Sequence, residues 1–332
     1  MKNLIKAILL AVLVFTGCNK NNTTENKRLP EANKLVVYTS HKPEVFEPII
    51  KEFEERSGIW VQVKQGGTNE LLEQISSSHH NSGADIMFGG GVDSLMAYQD
   101  CFSSYRTNKS RKLDRKYVSA TDSYTVFSKL PIVFIYNKRL LTGAEAPQTF
   151  RELLDPRWKG LIAFADPSTS GSAYTALATM IQLLHKNYPD EKIIKDFTDN
   201  LDEDICRDSA YVLDEVIYGK KFVGITLEET ALKRISNGAD IGIIYPADGT
   251  STVPDGCAVL KNAPHVQNAH LFIEFIVSDA VQQFLQDQLY RRSVRTDIES
   301  FQPVTEMRYD VDYAINKREE ILSEWNRVAG TR

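Results

Sequence analysis

The chain has 332 residues, of which 42% are apolar and 25% charged, an ordinary balance for a water-soluble globular protein. Its formal net charge of -5 argues against nucleic acid or an anionic membrane face as partner, so any basic site must be local. Cys18, Cys101, Cys206 and Cys257 are too widely spaced for a disulfide framework or a zinc pattern, and buried free thiols are expected over a single bridge.

Lys2 and Lys6 precede an apolar run, Ile8 to Phe15, that stops at Thr16-Gly17-Cys18. A charged start, a short apolar middle and small residues at the break predict a secretory signal over residues 1–17. The run is too short to span a bilayer, which takes about twenty residues. Cys18 directly after Gly17 resembles the lipobox of bacterial lipoproteins, which implies diacylation of Cys18 as the new N-terminus. Phe15 stands where that pattern usually has Leu, and an ordinary signal with an incidental Cys is the competing reading. Both readings export the protein. About 300 residues then remain, more than one core usually serves, so two domains are expected.

Residues 18–33 are polar and Asn-rich, and predict a flexible tether. Leu35 to Tyr38 is a short strand. Pro43 opens a helix whose apolar positions Val45, Phe46, Ile49, Ile50 and Phe53 recur at helical spacing up to Gly58. Trp60 to Val63 is a second strand, followed by Gly66-Gly67 and a helix marked by Leu71, Leu72 and Ile75, with Thr68 or Asn69 as its cap. Ala84 to Phe88 is a third strand, with Gly89-Gly90-Gly91 read as its loop. Successive strand-to-helix units predict a parallel sheet with helices on both faces, and ligands in such sheets sit beyond the strand C-termini.

Leu130 to Asn137 is the longest β-rich run and predicts a strand leaving the first domain. A second α/β pattern follows: strand Gly160 to Phe164, polar loop Asp166 to Ser172, helix Ala173 to Leu184, strand Phe222 to Thr226 and return strand Ile241 to Tyr245. Leu271 to Phe275 and Val281 to Leu289 read as helices completing the first domain. The stretch from Val304 to Val328 reads as charged helix packed outside.

Five stretches in order carry a resemblance: Leu35 to Ser40, Gly58 to Leu71, Ala84 to Gly90, Trp158 to Ala173, and Val223 to Glu228 with Ala239 to Thr250. Together the chain resembles the extracellular solute-binding proteins of bacterial ABC importers, in the branch of ferric iron, hexose-phosphate and aminoethylphosphonate binders. This implies an α/β protein with a two-lobed periplasmic-binding-protein-like II fold, each lobe a parallel-rich sheet flanked by helices. Lobe 1 is expected over 34–130 and 247–292, lobe 2 over 131–246, and a helical segment over 293–332 packed on both. Crossing strands are expected at Thr125 to Asn137 and Ile241 to Ala247. The resemblance also implies a monomer that works with a permease and an ATPase, catalyses no reaction and needs no cofactor. It places the protein in the periplasm or on the cell surface, held to a membrane by its lipid.

Ser168, Ser170, Gly171 and Ser172 open a helix at a strand end, where small residues let amide N–H groups and the helix dipole meet an anion. The competing reading is a Ser-rich cap serving its own helix. Gly67, Thr68, Gly90 and Gly91 offer similar backbone access from the other lobe. Thr39, Ser40 and His41 follow the first strand, where family members contact ligand. Arg207, Asp208 and Ser209, with Glu228 after Gly224-Ile-Thr-Leu, resemble the sugar-phosphate binders' pattern, except that Arg207 replaces the usual His. That resemblance makes Asp208 and Glu228 acceptors of sugar hydroxyls, and Arg207 suits phosphate geometry. A small, phosphorylated anion is the expected ligand.

The alternative is ferric iron as transported cargo, held by His41, Tyr211, Asp208 and Glu228 with Tyr38 or Tyr218, although the adjacent tyrosines of many iron binders are missing. Enzyme signatures such as Gly-x-Ser-x-Gly, His-Glu-x-x-His and the P-loop lysine motif do not occur, and His79-His80 lacks metal-ligand spacing.

Overall fold

The computed structural model describes residues 31–330 apart from 79–80, 203 and 301–302. The expected signal 1–17, Cys18, most of the 18–33 tether and His79-His80 lie outside the described residues.

The first half alternates as read through β1 (Lys34–Thr39), α1 (Pro43–Ser57), β2 (Trp60–Gln65), α2 (Thr68–Ser77) and β3 (Ile86–Gly91), and adds α3 (Val92–Ala97), which the sequence reading did not name. In α1 the expected apolar stripe is the buried one, each large side chain contributing about 1.5–3 kcal/mol. Gly58 ends the helix at φ 69 and donates its N–H to the Glu54 carbonyl. The three glycines at 89–91 are not a loop. They belong to β3, across a register shift from Phe88 to Gly91, and α3 starts directly after them.

The second half contains β4 (Thr125–Asn137), β5 (Ile162–Ala163), α4 (Gly171–Leu184), α5 (Asp190–Leu201), α6 (Ser209–Ile217), β6 (Val223–Leu227), α7 (Glu228–Ser236) and β7 (Ile241–Ile244). The chain returns through β8 (Thr252–Val259), α8 (Val266–Ile276) and α9 (Asp279–Leu289), and ends in α10 (Val311–Asn316) and α11 (Arg318–Ala329).

The described strands form one mixed sheet in the order β2-β1-β3-β8-β4-β6-β5, with β7 also on β4. The pairs β1–β2, β1–β3 and β5–β6 are parallel, while β8 and β4 pair antiparallel with every neighbour. β8 is the element the sequence reading passed over. Pro254, Asp255 and Gly256 interrupt its apolar pattern, and Pro254 lies just past the β3 pairing, where the strand has one fewer neighbour.

β4 is the long crossing strand. Thr125 to Pro131 pair with β8, and Ile132 to Asn137 pair with β6 and β7. Side-chain alternation sorts the first lobe's core onto two faces. Leu35, Val37, Ile86 and Phe88 join Phe53, Phe127 and Phe272, while Tyr38 and Met87 join Leu71, Leu72 and Ile75. The second lobe gathers around Phe134, Phe150, Phe164 and Phe197.

The C-terminal segment packs its helices on the second lobe through one buried stripe. Residues 303–310 are outside any helix, with Glu306 bridging Thr250, and α11 drives the fully buried Trp325 against Phe164 and Phe197. Its charged residues conceal a stripe of Ala314, Ile321 and Trp325. Cys101, Cys206 and Cys257 are buried free thiols.

Candidate binding cleft

Strand directions define the candidate cleft. β8 is antiparallel to both β3 and β4, so β1, β2 and β3 run along β4 and point toward the second lobe. β6 is antiparallel to β4 and β5 parallel to β6, so these point back toward the first. The strand C-termini of the two lobes therefore face each other. Gly91 aligns with Asp255 and through it with Ser128, while Leu227 aligns with Ile132. Three β4 residues lie between Ser128 and Ile132, a separation of about 13 Å along an extended chain.

The helices that follow those strands start at this gap, so their N–H-rich ends converge on it. From the first lobe come the starts of α1, α2 and α3, from the second those of α4, α6 and α7. α6 joins the row because Cys206, just before it, bridges Ala165 in parallel.

The candidate residues divide into those near this gap with groups to spare and those already committed. Thr39 is fully buried; its hydroxyl donates to the Phe88 carbonyl at 2.7 Å and accepts the His41 N–H at 3.2 Å. It holds the loop, while Ser40 beside it is half-buried. Gly67 caps α2, and its N–H donates to the Glu70 carboxylate at 3.4 Å. A Cβ on Gly90 would come within 2.9 Å of the Thr68 methyl, so glycine lets β3 pass α2 closely.

At α4, the Ser170 hydroxyl accepts the Ala173 N–H at 3.3 Å and lies 3.2 Å from that of Ser172. Ser168 donates its hydroxyl and its N–H to Asp166 at 2.6 and 2.9 Å. Ser168 and Gly171 are exposed. The capping role expected as the competitor is thus real, and it leaves the exposed start of α4 on the cleft side.

Asp208 is the N-cap of α6, accepting the N–H groups of Ala210 and Tyr211 at 3.0 and 3.2 Å; Ser209 is the helix's first residue. Arg207 lies over the Tyr211 ring at 4.0 Å, with its Nε 3.3 Å from Asp208. The guanidinium is exposed and oriented by both neighbours.

Glu228 is fully buried. Its Oε1 accepts the Tyr245 hydroxyl at 2.5 Å and Arg292 Nη2 at 2.7 Å, and its Oε2 accepts Arg292 Nε at 2.6 Å. Burial first, then this carboxylate, push the Tyr245 phenol well above its ordinary value.

His41 is buried, edge-on to Phe88 and Phe127. Burial pushes it down to about 4, so it is neutral near pH 7. Its Nε2 has no hydrogen-bond partner; Asp255 Oδ2 is 3.6 Å away. A Cβ on Gly89, at φ +101, would reach that nitrogen at 2.7 Å.

The alternative iron ligands are not gathered. Tyr38 donates its hydroxyl to the Ser82 carbonyl, Tyr218 is exposed at the far end of α6, and Glu228 is saturated. Among the described residues no three His, Cys, Asp or Glu side chains form a metal-sized cluster.

The sequence reading missed Asp255, Glu229, Tyr245, Arg291 and Arg292. Arg291 donates Nη1 to Asp255 at 2.5 Å and lies 3.7 Å from Glu229 through Nη2. The adjacent arginines at 291–292 were a visible signal, standing where a helix ends rather than on its wet face.

A model of the bacterial extracellular solute-binding proteins matches residues 80–313. Iron uptake protein A1 of Synechocystis sp. is 25% identical over 278 residues, covering 80% of this chain and 76% of that one. A putative 2-aminoethylphosphonate-binding periplasmic protein of Salmonella typhimurium is 22% identical over 256 residues, covering 74% and 73%. The periplasmic binding protein AfuA of Actinobacillus pleuropneumoniae, solved with exogenous fructose-6-phosphate bound, has the same fold. Its TM-score is 0.77 at 23% identity, over 90% of this chain and 99% of that one. With the family match running from before β3 into α10, the chain belongs to the bacterial extracellular solute-binding proteins, a family of binders rather than enzymes.

Proposed function

We propose that the protein captures a small phosphorylated anion between its lobes and delivers it to an ABC importer's permease and ATPase. One observation carries the choice of ligand: the helix N-termini of both lobes open onto a single gap. Backbone N–H groups and aligned dipoles favour an anion there, and the exposed Arg207 adds a fork suited to phosphate. The fructose-6-phosphate in AfuA points the same way.

Ferric iron as cargo is the second reading, favoured by the extent of the match to iron uptake protein A1. A thermal-shift screen separates the two. Hexose phosphates, 2-aminoethylphosphonate, inorganic phosphate and ferric citrate are compared side by side. A ligand at 100 times its dissociation constant stabilises by about 2.7 kcal/mol. A shift with ferric citrate alone, with a charge-transfer colour, replaces the phosphorylated ligand by iron.

In this reading residues 34–130 with 247–292 move as one body and 131–246 as the other, closing on ligand as a hinge. The protein acts as a monomer, held to a membrane by a lipid on Cys18 after loss of residues 1–17. Mass spectrometry of the mature N-terminus tests the anchor: an unmodified Cys18, or cleavage elsewhere, rules it out.

A further inference from the structure

We propose that Glu229, Arg291 and His41 form a hydroxyl-reading subsite on the cleft floor, which makes the ligand a polyol phosphate rather than a bare or amino-bearing one. The inference rests on the phosphorylated-solute reading and narrows it.

Glu228 and Glu229 are neighbours at the start of α7, yet their situations are opposite. Glu228 has no exposure and both oxygens engaged, so the acceptor expected from the sequence is already occupied. The Glu229 side chain keeps 14% exposure, and its ion pair with Arg291 Nη2 is long at 3.7 Å. It is an acceptor with capacity left, reaching from the second lobe toward the first.

Arg291 and His41 supply the complement. Both are more than nine-tenths buried, and each carries one nitrogen with no hydrogen-bond partner, Nε of Arg291 and Nε2 of His41. Both side chains flank the same oxygen, Asp255 Oδ2, at 2.5 Å from Arg291 and 3.6 Å from His41. Asp255 is the β8 residue opposite Gly91 and Ser128, at the floor of the gap.

An unpaired buried donor is costly, so such atoms mark a place where a partner is due. An underused carboxylate beside an unpaired N–H suits a group that donates and accepts at once, which is a hydroxyl. An ammonium donates to Glu229 and leaves Arg291 Nε unpaired. A bare phosphate meets repulsion from Glu229 and Asp255. The anion thus belongs at the helix N-termini, and the floor reads the hydroxyl-bearing remainder.

Calorimetry on wild type and Glu229→Gln tests this with a hexose phosphate, 2-aminoethylphosphonate and inorganic phosphate as probes. Wild type is expected to prefer the hexose phosphate. Glu229→Gln is expected to weaken it by about tenfold or more, the worth of one hydrogen bond to a charged group, while inorganic phosphate binding does not fall. Arg291→Lys, which keeps the charge but loses the guanidinium Nε, is expected to show the same selective loss. Ligand-free melting temperatures of the variants guard against misfolding, and Glu229→Asp substitutes if Glu229→Gln does not fold. Equal loss for all probes, no loss for any, or a wild type without preference for the hexose phosphate overturns the subsite. Failure of wild type to bind any of the three overturns the phosphorylated-solute reading itself.

Discussion

Arg292 grips Glu228 across the junction of the lobes with two parallel hydrogen bonds, 2.6 and 2.7 Å long, inside a fully desolvated pocket. The Arg292 carbonyl meanwhile accepts the Lys129 N–H on β4, and Leu227, just before Glu228, pairs with Ile132 on the same strand. The pair thus closes the space between the lobes beside their crossing strand. Both oxygens of Glu228, expected from the sequence to face ligand, accept from protein groups here.

Removing one member leaves the other charge buried and unpaired. Glu228→Ala is expected to cost about 3–5 kcal/mol of stability, read from urea unfolding. Glu228→Leu with Arg292→Met is expected to recover much of it, since replacing both charges removes the desolvation problem. A single variant as stable as wild type contradicts the buried pair.

The His41 ring sets a pH limit. Its folded value, about 4, lies below the ordinary 6.5, because burial opposes the charged form more than Asp255 favours it; Arg291 adds to the lowering. Below 6.5 the unfolded chain takes up a proton that the folded one refuses. The stability held above pH 6.5 is therefore lost as pH falls toward 4, by about 3 kcal/mol at 1.36 kcal/mol per unit. Urea midpoints from pH 7 to 4 should fall less steeply in His41→Gln than in wild type. Parallel curves mean that His41 does not carry the effect.

Gly89 lies at φ +101 with His41 Nε2 where a methyl group would go. Gly89→Ala is expected to destabilise by at least about 1–3 kcal/mol through backbone strain alone. A wild-type melting temperature contradicts the close packing of β3 on His41.

Trp325 couples the C-terminal segment to the second lobe, filling the space between Phe164 and Phe197. Trp325→Ala is expected to cost about 3–5 kcal/mol, and chemical denaturation measures it. A loss under about 1 kcal/mol means that α11 only decorates the surface.

These costs mark where local pattern was a good guide. Val45, Phe46, Ile49, Ile50 and Phe53 repeat at helical spacing and fill one buried face, so α1 was legible with its ends. The β-rich run through Asn137 was legible as the crossing strand, because a strand buried on both sides has little polar interruption. β8 was not, since Pro254-Asp255-Gly256 reads as a turn, and only its place between β3 and β4 makes it a strand. The α11 stripe was outvoted by its charges. At the site, the loops after β1 and before α4 were legible, the glycines of β3 were not, and neither were the partners of the side chains. Glu228 meets Arg292 sixty-four residues later, a pairing no local motif announces.

The most direct test is isothermal titration of protein freed of carried-over ligand by unfolding and refolding. One-to-one, saturable heat with a hexose phosphate is the predicted result. Silence with every phosphorylated solute, while ferric citrate titrates to saturation, contradicts the account.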